Sequence, residues 1–96
     1  MIRGGLSEAK PATPEIQEIA DKIKPQLEEQ TNEKYETYEA VEYKTQVVAG
    51  VNYFIKVDVG GARYIITKAF SGIDDPGFEL SGYQANKTRD DELTYF

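Results

Sequence analysis

Val51-Asn52-Tyr53-Phe54-Ile55-Lys56-Val57-Asp58-Val59 sets Val51, Tyr53, Ile55, Val57 and Val59 on one side and Asn52, Phe54, Lys56 and Asp58 on the other. A period of two among β-branched and aromatic residues predicts a strand with one face on a core. Just upstream, Val41, Tyr43, Thr45 and Val47 keep the same alternation, so 38–47 reads as its partner strand. Val48-Ala49-Gly50 between them is a short hairpin loop, with glycine free to take a left-handed conformation. Downstream, Gly60-Gly61 suits a two-residue primed turn, 62–70 and 78–84 read as further strands, and 93–96 as a terminal one. Asp75-Pro76-Gly77-Phe78 has the proline and glycine positions of a type II turn.

Upstream of Tyr38 the period lengthens to that of a helix. Ile16, Ile19, Ala20, Ile23 and Leu27 form one apolar stripe, with Thr13 as the N-cap and Pro14 in the first turn, where a missing N–H costs nothing. Glu15 and Glu18 suit the positive end of the helix dipole. Pro25 interrupts the stripe and clashes with the carbonyl of Asp21, which predicts a kinked helix ending near Tyr35. Met1 to Pro11, with Gly4-Gly5 and Lys10-Pro11, reads as irregular. The expected fold is α+β, a single domain over 1–96 with an antiparallel sheet of four to five strands wrapped on one long helix.

In an antiparallel meander successive turns alternate ends. The turn at 48–50 and the loop at 71–77 therefore share one end, and Gly60-Gly61 lies at the other. Strand 38–47 runs toward the first end and the helix runs away from it, so Met1 to Ala12 approaches from that end too. Three separate segments are expected at one edge. There, Val47 and Val48 are consecutive, and a period of two cannot bury both. An exposed valine at a rigid turn marks a contact surface.

The rest of the composition narrows the chemistry. Seventeen acidic against eleven basic residues leave a net charge of −6, with no basic cluster, which argues against nucleic acid or anionic membrane as partners. Absence of His and Cys removes the imidazole base, the thiolate nucleophile and the usual transition-metal ligands, so neither an enzyme nor a metal site is expected. The acidic run Asp90-Asp91-Glu92 lacks the spacing of a cation loop and reads as solvated surface. Without cysteine, a signal-like opening or an apolar span, the expected location is cytoplasmic.

Gln46-Val47-Val48-Ala49-Gly50 matches the Gln-x-Val-x-Gly hairpin of the cystatins. The opening from Gly4 to Gln17, Gln26-Leu27-Glu28-Glu29, Tyr43-Lys44-Thr45, Asn52 to Val57, Gly82-Tyr83-Gln84 and Asp91 to Thr94 resemble the stefin branch of that family. The resemblance implies the cystatin fold and a reversible, tight-binding inhibitor of papain-like cysteine proteases, among them papain and cathepsins B, H, L and S. It implies a wedge in the active-site cleft, with the trunk residues Ile2, Arg3, Gly4 and Gly5, the first loop Gln46, Val47, Val48, Ala49 and Gly50, and the second-loop residues Ile73 and Asp74 as protease contacts. No cofactor is implied, and a monomer is expected, with a domain-swapped dimer opened at the Val48 turn as the alternative state.

Departures from the resemblance are local. Arg3 stands where proline is expected, Ile73-Asp74 where Leu-Pro is common, and Leu93 to Phe96 resembles a different stefin from the opening. Such a mixture keeps open an engineered or consensus stefin, used as a scaffold that binds another partner through the second loop. The intact Gln46 to Gly50 hairpin favours the inhibitor.

Overall fold

The computed structural model describes residues 8–72, 77–91 and 93, with the side chain of Val48 excepted. Thr13 caps the helix: its backbone is extended and its Oγ1 accepts from the Ile16 N–H at 3.3 Å. Helix α1 spans Pro14–Thr31 and continues through Pro25, burying Ile16, Ile19, Ala20, Ile23 and Leu27, the stripe read from the sequence. It stops four residues before Tyr35, because Asn32 turns left-handed at φ 59° and closes the helix. Tyr35 then folds back, with its N–H donating to Glu28 at 2.9 Å and its hydroxyl to Thr31 at 3.0 Å.

Among the described residues, five strands follow a single antiparallel order: β1 (Lys10–Pro11), β2 (Glu39–Val48), β3 (Gly50–Asp58), β4 (Tyr64–Gly72) and β5 (Glu79–Lys87). Strand β1 corrects the expectation of an irregular opening. Lys10 pairs with Tyr43 and Pro11 with Glu42, and the Ala12 N–H donates to Val41 at 3.0 Å. A proline is tolerated on such an edge strand, and two residues are too few to show a period. The terminal strand expected at 93–96 falls mostly outside the described residues; Leu93, which is described, lies in no strand.

On one face of the sheet, Ile55, Val57, Ile65, Ala69 and Leu80 meet α1. The helix starts beside Tyr43, Thr45 and Tyr53. Just past its end, Glu33 reaches Arg63 at 3.6 Å, beside the opposite turn. Two glutamines of α1 bond to the strands near bulges. Gln17 accepts from the Ala40 N–H at 2.7 Å, beside the bulge between Ala40 and Glu42. Gln26 accepts from the Leu80 N–H at 2.9 Å, beside the bulge opposite Lys68 and Ala69. Backbone groups that a bulge removes from the ladder need such partners.

The other face is not the solvated one that the alternation of β3 suggests. Phe54 is fully buried, and Lys56 is 2 % exposed. The chain after β5 returns across this face, where Leu93 packs with Phe54 and Ile66. Lys56 Nζ donates to the Arg89 carbonyl at 2.9 Å and to the Asp91 carbonyl, and pairs with Glu42 at 3.3 Å. Lys44 Nζ donates to the Leu93 carbonyl at 2.7 Å. The turn after β3 is primed, as expected, but one residue later. The Arg63 N–H donates to the Gly60 carbonyl, which makes Gly61 (φ 63°) and Ala62 (φ 62°) the central pair.

Candidate functional site

The hairpin between β2 and β3 is as tight as its composition suggests, since Val48 pairs with Gly50 around the single residue Ala49. Gly50 pairs in turn with Gly72, and Val51 with Ser71, so the first turn lies directly against the end of β4, from which the second loop departs. That approach demands glycine. A Cβ at position 50 would sit 2.3 Å from the Ser71 carbonyl oxygen and 2.9 Å from Gly72 Cα, and the backbone there has φ 125°. The two loops are joined at their bases by a close backbone contact.

Beyond this contact the sheet projects apolar surface. Val47 is 73 % exposed although it lies on the face that α1 covers lower down, because the helix begins short of the tip. Ala49 is exposed as well. The sequence pointed to the turn valine, Val48, as the exposed one; Val47 is exposed, and the Val48 side chain lies outside the described residues.

Other residues expected at this edge divide plainly. Gln46 is 8 % exposed and its Oε1 accepts from Asn52 Nδ2 at 3.1 Å, a cross-strand brace behind the tip. Gly50 is buried in the loop junction. Ile2, Arg3, Gly4, Gly5, Ile73 and Asp74 lie outside the described residues. Strand β1, which the sequence did not reveal, fixes a direction. It runs antiparallel to β2, so followed back from Pro11 to Lys10 it points toward the hairpin. Sequence reasoning could have found this only through the proline at the edge.

Chemically, this edge offers shape and apolar surface. Val47, Ala49 and Gly50 carry no titratable group, and the chain has no histidine or cysteine to serve as a nucleophile. Backbone pairing on three strands makes the projection rigid before any partner arrives.

The chain matches the family described as Cystatin domain over residues 4–90. It is 67 % identical over 97 residues to Cystatin-A of Mus musculus and 62 % over 98 residues to Cystatin-A of Homo sapiens, each alignment covering all of both chains. Leukocyte cysteine proteinase inhibitor 1 of Sus scrofa is 59 % identical over 99 residues, covering all of this chain and 95 % of that protein.

Proposed function

The chain belongs to the cystatin family, in its stefin-type branch, and on that premise we propose that it inhibits papain-like cysteine proteases by reversible occlusion of the active-site cleft. The observation that carries this reading is the preformed tip, with Val47 73 % exposed above a loop junction that only glycine at position 50 permits. An apolar wedge ordered in advance gives up little conformational freedom on docking. Burying one valine side chain contributes about 1.5 kcal/mol or more of the association energy.

The remaining proposed contacts rest on the family resemblance. Ile2, Arg3, Gly4 and Gly5 are proposed as the trunk that contacts the protease, as the family resemblance implies. Val48 and Ala49 are proposed to enter with Val47, and Ile73 and Asp74 are proposed as second-loop contacts. Gln46 and Gly50 act from behind, as brace and junction. Papain and cathepsins B, H, L and S are the proposed targets, met in the cytoplasm by a monomer. The inhibitor takes no catalytic step. No specific observation favours the engineered scaffold.

Val47→Asp tests the reading. An exposed residue can change without loss of the fold, but a carboxylate pressed into an apolar cleft must shed its water without a partner. The inhibition constant for papain should rise at least ~100-fold, at roughly 1.4 kcal/mol per factor of ten, with an unchanged melting temperature. An unchanged inhibition constant would remove the hairpin from the interface.

A further inference from the structure

Beside the tip, on the α1 face, lies a groove of about 470 Å³. One lip is the first half of the helix, with Glu15, Glu18 and Lys22; the opposing wall includes the rings of Tyr43, Tyr53 and Phe78. Tyr53 and Phe78 meet edge to face at 6.0 Å, and all three rings are partly buried against the core, so the wall is fixed. Lys22 Nζ already stands 5.2 Å over the Phe78 ring, which shows that this wall can hold a cation. Glu15 and Glu18, both exposed, line the groove with Tyr43 and Tyr53.

We propose that this groove receives one arginine or lysine side chain from the rim of the protease that the hairpin engages, and so sets which proteases are bound best. The inference rests on the protease-inhibitor reading above. Two features argue for this occupant. One is charge: Glu15 and Glu18 outweigh Lys22 among the groove's charged residues, and with two tyrosine rings they favour a guanidinium or ammonium over a neutral or acidic group. The other is continuity with the tip. Thr45 and Tyr53 are paired on the face that Val47 and Val51 share, two residues back along each strand. That separation is about 7 Å, so a rim around the inserted tip is within reach of the groove.

The groove is open along its length, so a free cation is held weakly, whereas a side chain already carried by a docked protein enters at high effective concentration. A second copy of the chain is a poorer occupant, since both partners would carry a net charge of −6.

The test is a double-mutant cycle. Glu15→Gln with Glu18→Gln is measured against papain and against papain variants in which each arginine and lysine of the cleft rim is changed singly to alanine. At low salt the double variant should lose five- to tenfold in affinity for papain, and for one rim variant that loss should disappear. It should also shrink at 0.5 M salt, where screening acts over only a few ångströms. A loss below fivefold, or one that persists with every rim variant, overturns the proposal. Val47→Asp is assayed in parallel. If that change weakens binding and the glutamate pair does not, the groove is refuted alone; if neither does, the inhibitory edge itself is wrong. Sedimentation showing a dimer abolished by the glutamine pair would assign the groove to a second copy and likewise refute the proposal.

Discussion

Gly50→Ala adds one methyl group at the junction of the two loops, and its cost can be worked from the coordinates. At φ 125° an L-residue is strained, and a backbone conformation of that kind costs about 1–3 kcal/mol. The new Cβ also overlaps the Ser71 carbonyl oxygen at 2.3 Å and Gly72 Cα at 2.9 Å, neither of which is the end of a flexible side chain. Relief requires the ends of β3 and β4 to part, losing one or two ladder hydrogen bonds of about 1 kcal/mol each. The sum is about 4 kcal/mol, which for a domain near this size lowers the melting temperature by about 20 °C. Gly61→Ala is the matched control: φ is 63°, nothing lies within 4 Å of the added carbon, and the position is at the far end of the sheet. It should cost about 1 kcal/mol and leave inhibition intact. Thermal melts followed by circular dichroism, with papain inhibition on the same samples, decide the matter. If Gly50→Ala melts within 4 °C of the parent and inhibits equally well, the loop junction is not what holds the tip.

Lys56→Met keeps the length of a buried side chain but strands its acceptors, the Arg89 and Asp91 carbonyls and Glu42. Urea unfolding should show a loss of about 2–4 kcal/mol, with amide exchange accelerated over residues 88–91. Unaltered exchange there would mean that Leu93 alone pins the returning chain. The Asp91 carboxyl is held below the usual carboxylate range, chiefly by the Thr88 backbone N–H that donates to it at 2.7 Å. A depressed folded pKa stabilises the fold above the unfolded value of about 3.9, and that contribution is lost as pH falls through the lower folded value. Asp91→Asn should therefore melt below the parent at pH 6, with the gap narrowing as pH falls below about 3.9; a gap that stays constant as the pH is lowered would contradict the assignment.

Much of the fold was legible because its signals are local. The stripe from Ile16 to Leu27 and the alternation in β3 each come from contiguous residues, and Thr13-Pro14 is a start signal that the tertiary structure leaves in place. What was not legible depends on segments that meet only after folding. Phe54 and Lys56 read as the solvent side of β3, because nothing nearby in sequence says that Leu93 will return across them. Strand β1 has no period of its own and exists only because β2 offers an edge beside Tyr43. The primed turn slipped by one residue since Ala62 accepts a left-handed backbone that sequence rules assign to glycine. At the edge of the sheet, consecutive valines pointed to an apolar tip, where Val47 is exposed and the Val48 side chain lies outside the described residues. The exposure of Val47 depends on where α1 begins over the sheet, and the demand for glycine at position 50 depends on how closely β4 approaches.

Reversible occlusion without chemistry is tested most directly by calorimetric titration of papain whose catalytic thiol is capped with a small methylthio group. The tip has no reactive group, so binding should not depend on a free thiol. Expected are one chain bound per enzyme, an affinity within about tenfold of that for the uncapped protease, equivalent to roughly 1.4 kcal/mol, and a chain recovered from active enzyme with every peptide bond intact. No binding to the capped enzyme, or recovery of a cleaved chain as the inhibitory species, would contradict the account.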